Sequence, residues 1–311
     1  MKICICLDGG GCRGVIEIAS LMWLSENFDI GSNDVSLVVG TSTGAVVGTL
    51  YRSGVKLDEM MELYLDDMPH IFKLDWTSLF GLLGPKYKTS PIDDTFKKWM
   101  RNNILKFAKF NEYRMLMISS YNLSTKQETF FKSWNKEIKG THVVPKFRMN
   151  RINIHDALRA ATSIPTYWPP VVINGYYYCD GGVVANCPLL AAYTEMRSLF
   201  PKEKIIILSL GTGHAAIEHK TPHYRKFGIF QWIEPLLNIF TNNNYDNYIA
   251  NNITRTVDDK CAVIRINPFI SSGKFKSILS RDDMEELATH ATRSLKSNAT
   301  IHQKLEVLLH D

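Results

Sequence analysis

KICICLDGGGCRG, residues 2–14, joins an apolar run to a cluster of glycines. An apolar run ends at Leu7, three glycines follow Asp8, and from Val15 apolar residues recur at Ile18, Ala19, Met22 and Trp23. A short unbroken apolar run closed by glycine reads as a buried strand, and recurrence every three to four residues reads as a helix. The segment therefore predicts strand, glycine turn and helix, with the helix running over Val15–Glu26. The same grammar returns at once. Val35–Val39 is a strand-forming run, Gly40-Thr41-Ser42-Thr43-Gly44 is a tight turn, and Ala45–Arg52 continues without a breaker as far as Gly54. Two such units in succession predict an α/β architecture, a parallel sheet flanked by helices.

Working outward, Met115–Ser119 and Glu128–Lys132 read as strands. Val171–Cys179 reads as a hairpin, because Asn174-Gly175 supplies the two positive-φ positions of a type I′ turn. Ile205–Leu210 is a buried strand entering Gly211-Thr212-Gly213, and Val263–Ile266 is a late strand. The chain closes with a helix over Asp282–Leu309, whose apolar face includes Met284, Leu287, Ala291, Leu295, Ile301, Leu305 and Leu308, with a bend expected near Ser297-Asn298. Two segments break the pattern. Phe72–Tyr87 is apolar yet interrupted by Gly81 and Gly84-Pro85, as expected of a lid, a lipid-facing loop or a plug on the end of the core. Phe227–Phe240 is aromatic-rich and amphipathic, fit for a membrane, a second subunit or core.

With 311 residues, 45% hydrophobic and 22% charged, the composition excludes disordered, collagenous and coiled-coil chains, and one domain over residues 1–311 is expected. No run approaches the ~18 apolar residues of a membrane span, and Asp8 and Arg13 cut short any signal-peptide reading, so cytoplasmic synthesis is the expectation. Six cysteines without zinc-ligand spacing read as small buried residues of a reduced protein. The net charge of +5 is unevenly spread, with eight Lys/Arg against three acids over residues 86–114 and five acids over Asp58–Asp67. A basic cluster of this kind attracts an anionic membrane face or a nucleotide, or is simply a solvated helix face. Nothing in the chain indicates a nucleic-acid polymer as partner.

Two turns carry the chemistry. Gly9, Gly11 and Gly14 satisfy G-x-G-x-x-G after a strand, but the acidic residue that would hold a ribose about 20 residues on is missing, which weakens a dinucleotide reading. Gly40-Thr41-Ser42-Thr43-Gly44 satisfies G-x-S-x-G between strand and helix, the setting of a nucleophilic serine. Ser42 would occupy a strained, positive-φ point with its hydroxyl projecting from the sheet edge, and glycines at 40 and 44 avoid collisions with neighbouring backbone. Helix amides beginning at Thr43 would favour a developing oxyanion. The serine needs a base. The histidines His70, His142, His155, His214, His219, His223, His290, His302 and His310 fall mostly on helices or polar loops. Asp180, at a strand end before Gly181-Gly182, is the stronger candidate, since partial burial would raise its proton affinity.

Taken together, Asp8-Gly9-Gly10-Gly11-Cys12-Arg13-Gly14, Gly40-Thr41-Ser42-Thr43-Gly44, Ala160-Ala161-Thr162-Ser163-Ile164-Pro165, Asp180-Gly181-Gly182 with Val183–Asn186, and Ser209-Leu210-Gly211-Thr212-Gly213 resemble the patatin-like phospholipases in order and spacing. The resemblance spans residues 8–213 and leaves 214–311 as C-terminal strands and helices completing or capping the domain. It implies a three-layer α/β/α patatin-like fold with a mainly parallel central sheet, and a lipid acyl hydrolase of phospholipase A type that uses a Ser42 and Asp180 dyad. It further implies an oxyanion hole from Gly9, Gly10 and Gly11, with Arg13 holding the loop or a lipid phosphate and Thr43 offering one further amide. No metal and no cofactor are called for. Asp8 would fix the glycine loop through local hydrogen bonds, Gly14, Gly40, Gly44, Gly181 and Gly182 would support the turns, Thr41 would act through its backbone alone, and Asn186 and Pro188 would shape the segment after Asp180. The implied partner is membrane phospholipid, met peripherally at the inner membrane surface. Some short bacterial members of the family are antiviral effectors switched on by cyclic nucleotides, so the alternative expectation is an effector activated by a cyclic nucleotide, with a homo-oligomer as its other expected partner state.

Overall fold

The computed structural model describes residues 1–81, 84–134, 152–215, 245–270 and 278–310. Its spine is a twisted sheet in which β1 (Lys2–Leu7) lies between β2 (Val35–Gly40) and β7 (Ile205–Leu210), with β9 (Cys261–Ile266) outside β7. All of these pairs are parallel, and β2 also pairs in parallel with the start of β3 (Leu116–Asn122). The other side of β3 carries β4 (Gln127–Lys132) antiparallel. The hairpin β5 (Val171–Ile173) to β6 (Tyr176–Asp180) turns at Asn174 and Gly175, whose φ values of 51° and 82° match the expected type I′ geometry. A short parallel pair, β8 (His214–Ala215) with β10 (Phe269–Ile270), stands apart from the main sheet.

Helices cover both faces, because each central strand is apolar on both. Ile3, Ile5 and Leu7 of β1 enter one core with α1 (Val15–Phe28), α2 (Thr43–Ser53), α3 (Leu57–Asp67), α4 (Ser90–Arg101) and α5 (Ile154–Thr162). Cys4 and Cys6 point the other way, into a core shared with Leu189, Ala192 and Met196. These three belong to α7 (Leu189–Leu199), which follows the single turn α6 (Gly182–Ala185). Ala250 of α8 (Tyr245–Asn252) joins that second core. The two-sided strand pattern thus produces three layers. The first four cysteines and Cys261 are buried and free, as small apolar fillers are.

The expected C-terminal helix is two, α9 (Arg281–Ser297) and α10 (Ala299–His310), separated at Asn298, within the bend that the sequence predicts at Ser297-Asn298. Met284, Leu287, Ala291 and Leu295 of α9 are buried, and α9 packs along α1, which explains why α1 is buried nearly all round rather than on one face. The basic and acidic clusters meet each other. Lys98 of α4 pairs with Asp67 of α3 at 2.8 Å, Trp99 Nε1 donates to the same carboxylate, and Arg281 binds Glu62 and Asp66. Part of the charge at 86–114 is therefore a solvated face with an internal partner. Phe72, Tyr87, Tyr167 and Trp168 stack together, so the flanks of the 72–87 segment plug the core, while Trp76 is 67% exposed. Phe227–Phe240 lies outside the described residues. Among the described residues no helix is long and apolar enough to cross a membrane.

Candidate active site

Strand β3 is longer than β2, and that difference builds the site. β2 occupies one edge of β3 from Leu116 to Ile118 and then stops at Gly40. The vacated edge beyond it, Ser120–Asn122, is taken by β6 running antiparallel. The two strands therefore approach each other end to end, and β6 delivers Asp180 opposite Ser120, two residues past the Gly40–Ile118 pair. The turn after β2 carries Ser42 into the same place. Ser42 Oγ donates to Asp180 Oδ2 at 2.6 Å, and the two residues are 7% and 3% exposed.

Each side chain is held by its own backbone. Ser42 has φ 52° and ψ −119°, the strained point the motif predicts. A Cβ on Gly40 would lie 2.3 Å from the Gly44 carbonyl oxygen, and one on Gly44 2.5 Å from that of Leu7, so both positions require glycine. Thr41 does more than its backbone predicts, since its hydroxyl lies 2.7 Å from Ser119 Oγ and donates to the Ala185 carbonyl at 2.9 Å, tying the turn to β3 and α6. The Asp180 amide donates to the Ser163 carbonyl, which accounts for the Ala160–Pro165 motif. Asp180 Oδ1 accepts from the Gly182 amide at 2.7 Å. Gly181 sits where a Cβ would be 2.3 Å from Ser119 Oγ. Burial raises the Asp180 carboxyl to about 7, with the hydrogen bonds from Ser42 and Gly182 opposing that rise. A carboxylate poised near neutrality against a hydroxyl is a proton acceptor in working range.

The glycine loop lies alongside. A Cβ on Gly9 would fall 3.3 Å from Ser42 Cβ. Three expectations for this loop need correction. The Gly9 amide donates to the Asn186 carbonyl at 2.9 Å, so it is not a free oxyanion donor; among the described residues Gly10 and Gly11 amides have no such partner. Arg13 is 3% exposed, with its guanidinium turned into the interior, where desolvation lowers it to about 10; it does not present itself to a lipid phosphate. Asp8 fixes the loop by a long-range contact instead of local bonds, its carboxylate paired to Arg265 from β9. Thr43 begins α2 with its amide at the same end as Ser42, while its hydroxyl is buried. Gly14 makes room for the Tyr64 and Thr43 hydroxyls. Thr212 Oγ1 and Asn186 Nδ2 both donate to the Gly9 carbonyl, at 3.0 and 3.2 Å, so the Ser209–Gly213 motif buttresses the loop.

Sequence reasoning missed Arg265 and the fully buried Glu17. The one signal for Glu17 was a lone acid in the otherwise uncharged run Val15–Leu24. Among the described residues no histidine is hydrogen-bonded to Ser42; His155 pairs with Asp93 and Asp156, and His214 and His290 contact the Asn267 and Phe269 carbonyls.

Residues 5–193 match the family model described as patatin-like phospholipase. The chain belongs to that family. A cGAMP-activated phospholipase of Escherichia coli (strain TW11681) is 30% identical over 227 residues, covering 66% of this chain and 60% of the relative. A cGAMP-activated phospholipase of Vibrio cholerae is 28% identical over 235 residues, covering 66% and 62%. Patatin-like protein 2 of Oryza sativa subsp. indica is 24% identical over 303 residues, covering 79% and 71%. The match thus spans about three fifths of the length of the two bacterial relatives. Among solved structures, VipD from Legionella pneumophila aligns over 93% of this chain and 67% of its own, with a TM-score of 0.45 and 12% identity.

Proposed function

We propose that this patatin-like chain is a serine lipid acyl hydrolase of phospholipase A type, acting on membrane glycerophospholipids through Ser42 and Asp180. The observation that carries the reading is the 2.6 Å hydrogen bond from Ser42 Oγ to a buried carboxylate raised to about 7, with the glycine loop packed alongside at Gly9. As Ser42 Oγ attacks the ester carbonyl carbon, Asp180 takes the hydroxyl proton. The carbonyl oxygen becomes an oxyanion, met by the amides of Gly10, Gly11 and Thr43. Collapse breaks the ester bond, and Asp180 returns the proton to the departing lysophospholipid alkoxide. Water then loses a proton to Asp180 and attacks the acyl-enzyme, and Ser42 leaves protonated with release of the fatty acid. On this reading the substrate is reached peripherally at the inner, cytoplasmic membrane surface, by a single-domain protein.

The names of the two bacterial relatives, cGAMP-activated phospholipases, favour a second, compatible reading, in which the hydrolase is held off until a cyclic nucleotide binds. We propose within it that the protein acts as an antiviral effector, with self-association part of the switch. Fatty acid release from anionic phospholipid vesicles, by wild type, Ser42→Ala and Asp180→Asn, each with and without a panel of cyclic nucleotides, tests both. Release by wild type alone supports the dyad, and release only with one nucleotide supports the switch. Full activity in Ser42→Ala would sink the hydrolase mechanism.

A further inference from the structure

The motifs that resemble the family end at Gly213, yet the residue that grips Asp8 comes from β9, more than fifty positions later. Arg265 Nη1 donates to Asp8 Oδ1 at 2.9 Å, and Nη2 donates to Oδ2. This two-point geometry aligns a planar fork with a planar carboxylate, which a lysine cannot reproduce. Nη1 also donates to Ser209 Oγ at 2.8 Å and lies 3.7 Å from Cys187 Sγ. One guanidinium therefore joins the ends of β1 and β7 and the segment after α6, the three elements that border the glycine loop. The space is prepared for it: a Cβ on Gly211 would come within 2.9 Å of Arg265 Nη2 and 2.4 Å of Asn267 Oδ1.

Asp8 is placed to transmit that grip. Its carbonyl accepts the Gly44 amide at 3.1 Å, which connects it to the nucleophile helix, and the next three residues are Gly9, Gly10 and Gly11. Three consecutive glycines have little conformational preference of their own, so their amides point to one place only if both ends are anchored. Asp8 and the Asn186 and Thr212 bonds to Gly9 hold the upstream end, and the Tyr64 hydroxyl, which donates to the Gly11 carbonyl at 3.2 Å, holds the downstream end. The pair is enclosed, with side chains 10% and 5% exposed, and Glu17 is fully buried beside it, its carboxyl held well above the ordinary range by burial and then by Asp8. Removing the guanidinium leaves Asp8 inside without its two-point partner and next to a second acid, a condition relieved by moving the loop.

We propose that Arg265 is a positioning residue, which sets the Gly10 and Gly11 amides against Ser42 by clamping Asp8. The proposal rests on the acyl-hydrolase reading for its kinetic consequence, but the clamp itself has a readout that needs no turnover. In Arg265→Gln, hydrogen exchange in a peptide covering Asp8–Gly14 is expected to speed up at least tenfold while β2 and β7 peptides keep their wild-type rates. On a soluble monomeric ester, kcat is expected to fall about 100-fold with KM within twofold, the size of effect that follows displacement of an oxyanion donor. Arg265→Lys keeps the charge but loses the fork, and is expected to recover about tenfold of that loss. Arg281→Ala, which breaks a peripheral ion pair in the same part of the chain, serves as the control and leaves loop exchange unchanged. If Arg265→Gln does not unfold cooperatively, Arg265→Lys carries the same readouts. Loop exchange unchanged in both Arg265 variants, or a loss that falls on KM with kcat preserved, overturns the clamp. A wild type inactive with and without every cyclic nucleotide of the panel, whose loop still loosens in Arg265→Gln, keeps the clamp and removes the hydrolase reading.

Discussion

Asp180 is a carboxylate that ionises late, and the consequence is a pH profile. Its proton affinity is raised to about 7 because burial disfavours the charged form more than the Ser42 and Gly182 hydrogen bonds favour it. Only the ionised form can accept the Ser42 proton, so kcat/KM on a soluble ester is expected to rise with pH through an apparent midpoint near 7 and then level off. A midpoint below 5 would show that burial does not govern this group. The same shift acts on stability with opposite benefit: a folded-state value above the ordinary 3.8 contributes stability below 3.8 that is lost as pH rises through 7. Asp180→Asn is therefore expected to abolish turnover while holding or raising the thermal midpoint at pH 8. A glycine sets the other residue-scale limit. At Gly40 a Cβ would meet helix backbone at 2.3 to 2.6 Å, atoms that cannot rotate away, so Gly40→Ala is expected to cost about 2 kcal/mol or more in denaturant titration and to displace Ser42.

Among elements, α4 and α5 act as a bracket behind Asp180. Arg159 Nε donates to Asp93 at 2.6 Å, His155 lies 3.5 Å from the same carboxylate, and Ser163, which ends α5, accepts from the Asp180 amide. The hydrogen bonds to Asp156 and Asp93 raise His155 to about 9. Because that lies above the ordinary 6.5, the bracket's contribution is complete below 6.5 and is lost as pH climbs through 9. The gap in unfolding free energy between wild type and His155→Gln should be widest near pH 6, on the order of 1–2 kcal/mol after solvent screening, and close by pH 9.5; a gap constant with pH would sink this account. The elements that sequence reasoning finds well are those whose signal is local. Glycine and strand period mark β1, β2 and β7, and Asn174-Gly175 marks the hairpin. What is not local is that β6 stops head-on against β2, because that depends on β3 outrunning β2 by a few residues. Arg265 was illegible for the same reason, since nothing near Ile264-Arg265-Ile266 indicates that its partner is residue 8.

At the scale of the whole molecule, the reacting residues all lie within the part that matches the family, but some of the residues that hold them in place lie beyond it. The match ends at 193, but β1, the strand that leads into the glycine loop, has β7 along one edge over its full length, and β7 in turn has β9 from Ile205–Cys261 to Leu210–Ile266. Removing everything after Gly213 would expose the β7 edge, strip α9 from α1 and delete the partner of Asp8. Met284, Leu287, Ala291 and Leu295 would no longer cover α1, and truncating even one buried leucine or methionine to alanine typically costs 2–5 kcal/mol, a large part of any domain's stability. An apolar, unpaired central strand is also a template for association. The chain 1–213, although it contains Ser42, Asp180 and every glycine motif, is therefore expected to aggregate or to unfold without cooperativity in calorimetry. If it instead melts cooperatively and hydrolyses a soluble ester at the wild-type rate, the C-terminal third is dispensable to the site, and the dependence of the glycine loop on β9 is wrong.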